Sequence, residues 1–209
     1  MKDLILFGVQ GCGKGTQGQI LAREKGYRIF ETGKELRALI ANEGSRLGQK
    51  IKGIVEEGNL VPDEVVIEIV DDFLKKTGSD QAVVFDGIPR KVSQKALFEK
   101  VMKKNGREPL AVLIHISDEL ALIRLDNRWM SKSTEKIFAG KEAALAECPE
   151  NDVYQRADYT PKAIKTRLKN YHKETQPVID WYEDQDRLVK VSGEQEVEGV
   201  TKELMERVV

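Results

Sequence analysis

Short apolar runs alternate with longer amphipathic stretches along this sequence. Runs rich in branched residues predict five buried strands, the weakest of them around residues 28–30. The predicted strands are residues 4–7, 28–30, 82–85, 110–116 and 188–191. Alternation of this kind is typical of parallel β-α-β units, so the sequence predicts an α/β fold with a doubly wound parallel sheet.

Helical periodicity fills most of the remaining chain. The predicted helices are residues 16–25, 33–42, 46–57, 63–76, 93–104, 118–128, 161–183 and 197–208. Pro161 at the start of one helix, and Asp63 directly after Pro62, fit the chemistry of helix N-termini.

Two segments interrupt the alternation. Residues 32–61 hold two helices with no strand between them, and residues 129–158 show mixed charge, scattered Gly and Pro, and no clear period. The second segment indicates a loop or lid, with a disordered surface insertion as the alternative. We expect a core formed by the rest of the chain, residues 1–31, 62–128 and 159–209.

Length and charge limit the classes of function. A chain of 209 residues is long enough for one domain with its own core. Its 34 basic and 35 acidic residues create no global positive field, and no apolar run approaches the roughly 20 residues of a membrane helix, so we expect neither a nucleic acid nor a membrane partner. Two distant cysteines, and a first strand with no export segment before it, predict a cytoplasmic protein.

A glycine-rich stretch, GVQGCGKGTQ, lies between the first predicted strand and the first helix. Gly8, Gly11 and Gly13 can adopt backbone angles that point successive N–H groups at an anion. Lys14 can reach phosphates, and Thr16 offers a hydroxyl near a metal ion. The alternative is a glycine-rich turn with a chance lysine, but the strand before and the helix after it favour a loop that binds a nucleotide polyphosphate.

Four stretches carry a family resemblance. Glycine follows the lysine in Gly13-Lys14-Gly15-Thr16-Gln17, and this form resembles the loop of nucleoside monophosphate kinases, adenylate kinases above all. The stretches ETGKELR, GNLVPDEVV and FDGIPRKVSQ follow in the order of that family. The resemblance implies a five-stranded sheet of the P-loop NTPase type, an AMP-binding insert at residues 32–61 and a lid at residues 129–158. It also implies reversible Mg²⁺-dependent transfer, ATP + AMP = 2 ADP, in adenine nucleotide biosynthesis and homeostasis.

The resemblance also implies roles for individual residues. On the ATP side these are Gly11, Cys12, Gly13, Lys14, Gly15, Thr16, Arg124, Arg128, Lys136, Phe138 and Gln195. On the AMP side they are Thr32, Gly33, Arg37, Asn59, Leu60, Val61, Gly87, Arg90, Gln94, Arg156 and Arg167. The expected catalytic residues are Lys14, Asp86, Arg90, Arg124, Arg128, Arg156 and Arg167. Mg²⁺ is expected at Thr16 and Asp86, largely through water.

The chemistry of the reaction explains why so many arginines are expected. Transfer between two nucleotides needs no covalent nucleophile, but it needs two polyanions held in line with their charge neutralised. A planar guanidinium suits two-pronged contact with phosphate oxygens. Arg124 and Arg128 lie four positions apart in the predicted helix 118–128, so we expect them to share one face.

Some positions depart from the family pattern. Lys34 stands where an aspartate often supports the waters of the metal, and Lys136 stands where the lid has arginine. Cys148 is alone, and a structural zinc site needs four ligands, so no zinc site is expected. Cys12 is either a thiol sensitive to oxidation or, as we favour, a packing residue. The turn around Gln195 fits either an adenine contact or an ordinary connection.

Two other functions stay open. An enzyme of the same architecture could accept UMP or CMP, although Thr32 and Gln94 favour adenine. A nucleotide sensor without turnover would keep the pocket, and Lys34 and the unusual lid point that way, while the retained arginines and Asp86 point to an enzyme. The expected ligands are ATP, AMP and ADP. We expect a monomer, since both inserts must move freely.

Overall fold

A five-stranded parallel sheet forms the centre of the protein. The computed structural model describes residues 1–42, 44–56, 61–134, 136–155 and 160–208. The strand order is β2-β3-β1-β4-β8, with all neighbours parallel. The strands are β1 (Leu4–Phe7), β2 (Arg28–Glu31), β3 (Val83–Asp86), β4 (Leu110–His115) and β8 (Leu188–Ser192). The prediction of an α/β fold with a doubly wound five-stranded parallel sheet is confirmed.

Helices flank this sheet, and all of them except α7 (Lys141–Glu147), which was not predicted and packs elsewhere, follow the predicted periodicity closely. They are α1 (Lys14–Lys25), α2 (Thr32–Ala41), α3 (Arg46–Glu56), α4 (Asp63–Thr77), α5 (Val92–Lys104), α6 (Asp118–Asp126), α7 (Lys141–Glu147), α8 (Pro161–Asn170), α9 (Gln176–Asp184) and α10 (Val197–Val208). Between β2 and α4 the described residues form α2 and α3 without a strand, as the pattern predicts. None of the helices in the described ranges has the length and apolar character needed to cross a membrane.

The predicted helix 161–183 is interrupted by one turn of π-helix, Tyr171–Thr175, between α8 and α9. The N–H of Gln176 bonds to the carbonyl of Tyr171, five residues back. Pro177 follows directly and has no N–H to offer the regular ladder. The wider turn accommodates this loss without ending the helical direction.

The sheet separates two hydrophobic cores. Alternate residues of β1 point to opposite faces, so Ile5 and Phe7 enter one core while Leu4 and Leu6 enter the other. Helices α4, α5 and α9 cover the first face, and α1, α6, α8 and α10 cover the second. Burial on both faces explains why the strands appear in the sequence as continuous apolar runs.

A second, smaller sheet occupies the segment expected to lack regular structure. It is antiparallel, in the order β6-β5-β7, with β5 (Arg128–Ser131), β6 (Ile137–Ala139) and β7 (Val153–Tyr154). Helix α7 packs on it through the buried Ala144. A loop without regular structure, and the alternative of a disordered insertion, are therefore wrong for the described part of this segment, while the lid stays a prediction. Strands of two to four residues are too short to show a period in the sequence.

Candidate active site

The carboxyl ends of three parallel strands bring the candidate residues to one edge of the sheet. The loop that leads to Lys14 follows β1, Thr32 follows β2, and Asp86 ends β3. In the strand register Asp86 pairs with Leu6 on one side and with Glu31 on the other. Ligands of open α/β sheets bind at this kind of edge.

The loop after β1 has a backbone that only glycine adopts readily. Gly11 and Gly13 have φ values of 92° and 103°, and Gly13 caps α1. Gly8 is also crowded, because a Cβ there would lie 2.4 Å from both Cys12 Sγ and the Ile114 carbonyl oxygen. The loop thus presents N–H groups at the positive end of α1, which suits a phosphate.

The Lys14 side chain folds back onto this loop. Its ammonium donates hydrogen bonds to the carbonyl oxygens of Gly8 at 2.7 Å and Val9 at 3.1 Å, and lies 3.5 Å from Cys12 Sγ. Cys12 is buried and contacts the loop backbone, which agrees with a packing residue. Thr16 and Gly15 are exposed in the first turn of α1 and face solvent.

Two of the predicted arginines reach the loop from other helices. Arg124 of α6 donates from Nη1 to the Gly11 carbonyl oxygen at 3.4 Å. Arg167 of α8 donates from Nη1 to Gln10 Oε1 at 3.1 Å. The sequence analysis missed the part played by Gln10, whose only signal was a polar side chain inside the loop. The loop therefore has guanidinium groups on two sides.

Arg128 does not share a helix face with Arg124, and that prediction is wrong. Helix α6 ends at Asp126, and the N–H of the capping residue Asn127 bonds back to Ile123. Arg128 instead begins β5, where it pairs with Ala139 in the small sheet. The predicted helix 118–128 is two residues longer than α6, because helical periodicity does not mark the exact end of a helix. Arg156 lies outside the described residues.

Thr32 and Arg90 meet at the Gly87 carbonyl oxygen. Thr32 Oγ1 donates to it at 3.3 Å and Arg90 Nε donates to it at 2.8 Å. Gly87 has a φ of 82°, and a Cβ there would lie 2.7 Å from Arg90 Nη2. On α2, the Arg37 guanidinium lies against Gly33. These residues form a second basic area beside Asp86, which suits a second phosphate.

The remaining residues of the predicted acceptor site are only partly described. Val61 is half-buried and packs against the first hydrophobic core. Asn59 and Leu60 lie outside the described residues. Gln94 is buried, and its Oε1 accepts from the Arg90 backbone N–H at 2.8 Å. Its Nε2 donates to Asp63, a residue that sequence analysis identified only as a helix start.

The remaining predicted donor residues, Lys136, Phe138 and Gln195, have partners within their own part of the chain. Lys136 is exposed and forms an ion pair with Glu147 of α7, and its ammonium lies 5.2 Å from the centre of the Phe138 ring. Phe138 is buried in the small sheet. Gln195 lies after β8 and donates from Nε2 to Glu203 at 2.6 Å.

A polar network holds the small sheet together. Ser131, fully buried, donates to an Asp152 carboxylate oxygen at 2.5 Å, and the Ser133 backbone N–H donates to the other at 2.8 Å. The Ser131 and Ser133 hydroxyls hold the pKa of Asp152 below its usual range. Thr134 donates from Oγ1 to Ser131 at 2.8 Å. Among the described residues, no three His, Cys, Asp or Glu side chains are grouped to hold a metal ion, and the absence of zinc stays a prediction.

Oxygen ligands near the loop fit Mg²⁺. The Thr16 hydroxyl is exposed at the start of α1, and the half-buried Asp86 carboxylate ends the neighbouring strand. Magnesium prefers oxygen ligands and keeps several of its waters, so one carboxylate and one hydroxyl are a suitable protein contribution.

Comparison with known proteins gives one family. The adenylate kinase family model matches residues 6–187. An adenylate kinase of Caldicellulosiruptor bescii is 37% identical over 209 residues, which cover 97% of this chain and 96% of the relative. One from Fusobacterium nucleatum is 34% identical over 204 residues with the same coverage. One from Caldicellulosiruptor saccharolyticus is 36% identical over 208 residues.

Proposed function

The chain belongs to the adenylate kinase family, and from this premise we propose that it transfers a phosphoryl group reversibly from Mg·ATP to AMP, giving two ADP. The family is one of phosphotransferases, so the chain is an enzyme. The observation that carries the proposal is the presence of two basic areas on neighbouring strands. One surrounds the loop after β1, and the other surrounds Gly87 after β3.

The two areas have separate tasks in the proposed reaction. The loop N–H groups, Lys14 and Arg124 bind the donor phosphates, while Arg167, which reaches the same loop through Gln10, binds the acceptor phosphate. Thr32 and Arg90, with Arg37 on α2, bind the acceptor nucleotide. The strand register supports this division, because β1 and β3 are hydrogen-bonded neighbours and their loops open on the same side. Two nucleotides bound there would face each other through their phosphates.

Charge stabilisation supplies most of the catalysis in this proposal. Lys14 releases the Gly8 and Val9 carbonyls and follows the moving phosphoryl group. The arginines neutralise the charge that spreads over the equatorial oxygens. Mg²⁺, when bound, would be held by Thr16 and Asp86 largely through water, and it neutralises the donor phosphates. No general base is needed, because the attacking oxygen already belongs to a phosphate.

Three parts of the chain divide this work. Residues 32–61 form the acceptor insert, residues 129–158 form the lid, and the remaining residues form the core. Lys136 and Phe138 belong to the lid, Arg128 lies directly before it, and Arg156 near its end meets the phosphates when the lid closes. Closure excludes water, which would otherwise receive the phosphoryl group. We place the enzyme in the cytoplasm as a monomer.

The test is ADP formation from Mg·ATP with AMP, UMP, CMP and GMP offered separately. AMP is expected to react fastest, and Arg90→Ala is expected to lower kcat about 10²-fold or more, the loss typical for one stabilising donor. Arg23→Ala, on the outer surface of α1, is the matched control and should leave the rate unchanged.

Two outcomes would contradict the proposal. If UMP or CMP reacts faster than AMP, the acceptor specificity is wrong while the transferase activity stands. If ATP binds but no monophosphate is turned over, the protein is a nucleotide sensor.

A further inference from the structure

The side-chain amide of Gln94 is held at both ends by groups of fixed polarity. The Arg90 backbone N–H donates to Oε1 at 2.8 Å, and Nε2 donates to Asp63 Oδ1 at 3.3 Å. A backbone N–H can only donate, and a carboxylate can only accept. Reversing the amide would therefore place two donors together at one end and two acceptors together at the other.

Asp63 is itself held in place. Among the described residues, its other two side-chain partners both contact Oδ2: the Lys91 ammonium lies 3.1 Å from this oxygen, and the Ser93 hydroxyl donates to it at 2.9 Å. Oδ1 stays directed at Gln94. The Asp63 side chain is only 13% exposed, and Gln94 is buried. Both side chains therefore have little contact with water that could replace their partners.

With these two partners, and no others among the described residues, the fixed amide keeps one hydrogen-bonding group available at each end. Oε1 keeps a second lone pair, and Nε2 keeps a second hydrogen. Adenine offers the complement side by side, a donating 6-amino group and an accepting N1. A 6-oxopurine such as hypoxanthine or guanine offers the reverse, an accepting O6 and a donating N1–H. A glutamine free to turn would bind both kinds of base, whereas a fixed one matches only adenine.

We propose that Asp63 is a specificity-determining positioning residue. With the Arg90 N–H, it locks the Gln94 amide in the orientation that accepts a 6-aminopurine monophosphate and disfavours a 6-oxopurine monophosphate. The inference rests on the proposed function, in which Gln94 contacts the base of the acceptor nucleotide.

The test compares kcat/KM for AMP and for IMP, which differ at the 6-position and N1 of the base. In Asp63→Asn the side-chain amide at position 63 can either donate or accept. Only the Arg90 N–H then still opposes the reversed orientation of the Gln94 amide. The AMP/IMP ratio of kcat/KM is expected to fall about tenfold, the effect of one hydrogen bond to a charged group. Asp63→Ser, whose hydroxyl also donates or accepts, should shift the ratio in the same direction.

Ser93→Ala is the matched control. It removes a donor to the same carboxylate but leaves Oδ1 on Gln94, so the ratio is expected to stay within about twofold of wild type. A purely structural role for Asp63 would lower the rates with AMP and IMP together. Thermal unfolding shows which variants are folded at the assay temperature.

The outcomes separate this inference from the proposed function. An unchanged ratio in folded Asp63 variants that keep AMP activity overturns the role of Asp63, as does an equal shift in Ser93→Ala. A wild-type enzyme that uses AMP and IMP equally well overturns the lock but leaves the transferase activity standing. A wild-type enzyme that uses no monophosphate refutes the proposed function. NMR of the wild-type Gln94 amide provides a readout without substitutions: Nε2 protons close to the Arg90 N–H would contradict the lock.

Discussion

At the scale of single residues, Tyr27 has a buried hydroxyl with no hydrogen-bond partner among the described residues. The residue is 3% exposed, and burial, followed by the negative charge of Asp3, raises its pKa. An unsatisfied buried polar group costs about 1–3 kcal/mol. We predict that Tyr27→Phe raises the free energy of unfolding by about 1 kcal/mol in urea titrations.

The control for this prediction is Tyr182→Phe. The Tyr182 hydroxyl is also buried, but it donates to Glu99 at 2.6 Å, and Glu99 in turn binds Arg187 at 2.8 Å. Removing that hydroxyl should lower stability. If Tyr27→Phe is equally destabilising, the Tyr27 hydroxyl has a partner.

Sequence predicted the chemistry of single residues better than their contacts. Gly8, Gly13 and Lys14 were recognisable because a phosphate loop is built from neighbours in the chain. The contact between Arg167 and Gln10 joins residues 157 positions apart, and no spacing rule indicates it. The same holds for Asp63 and Gln94, which belong to different helices.

At the scale of elements, Asp71 joins α4 to α5. Its carboxylate accepts from Lys104 at 2.7 Å and from Asn105 at 2.9 Å, and Lys75 of its own helix lies 2.9 Å away. The hydrogen bond from Lys104, then those from Asn105 and Lys75, hold the pKa of Asp71 far below its usual range. A lowered pKa in the folded state means that this stabilisation is present at neutral pH and fades as the pH falls below about 4.

We predict that Asp71→Asn is destabilised at pH 7 and that its deficit shrinks as the pH falls from 5 towards 3. The reason is that wild type then loses the ionised carboxylate that the variant never had. Unfolding in urea at several pH values measures the difference. Asp72→Asn is the control, since Asp72 is 53% exposed and 3.7 Å from Lys75. A constant deficit at all pH values would contradict the role of the charge.

The small sheet depends on Asp152. Among the described residues, the strands of the small sheet pair only with one another. The Asp152 carboxylate accepts hydrogen bonds from the hydroxyls of Ser131 and Ser133 at the end of β5. We predict that Asp152→Ala raises amide hydrogen exchange in β5 and β6 about tenfold or more, because the buried Ser131 loses an acceptor. Exchange in β1 and β4 should not change. Glu150→Ala, an exposed neighbour, is the control, and equal acceleration in the core strands would contradict a local role.

The elements themselves differ in how well sequence predicts them. The core strands were predicted within two residues because burial on both faces produces continuous apolar runs. The strands of the small sheet were missed, since Val153–Tyr154 and Ile137–Ala139 are short and only partly buried. The end of α6 and the π turn before Pro177 depend on local hydrogen bonding that helical periodicity does not reveal.

At the scale of the whole molecule, charge is balanced overall but concentrated at the edge of the sheet. The chain has 34 basic and 35 acidic residues. Lys14, Arg124 and Arg167 nonetheless gather at the loop after β1. A local positive area in a nearly neutral molecule favours small polyanions over long ones such as nucleic acids.

Ligand binding at the donor site and at the acceptor site should raise the thermal stability of the whole molecule independently of each other. A ligand that binds only the folded state at about 100 times its Kd adds about 2.7 kcal/mol, which corresponds to roughly 5–10 °C in Tm for a chain of this size. We predict that Lys14→Met loses most of the shift caused by Mg·ATP but keeps the shift caused by AMP, because the proposed function assigns AMP to residues after β2 and β3. Arg90→Ala should do the reverse.

Differential scanning calorimetry with each nucleotide measures these shifts, with Lys25→Met at the other end of α1 as the control. Loss of both shifts in Lys14→Met would mean that the lysine, through its bonds to the Gly8 and Val9 carbonyls, supports the fold of the whole edge. A full Mg·ATP shift in that variant would contradict donor binding at the loop. The predicted crossed pattern requires two sites on one rigid sheet, each with its own basic groups, which is the arrangement that direct transfer between two nucleotides needs.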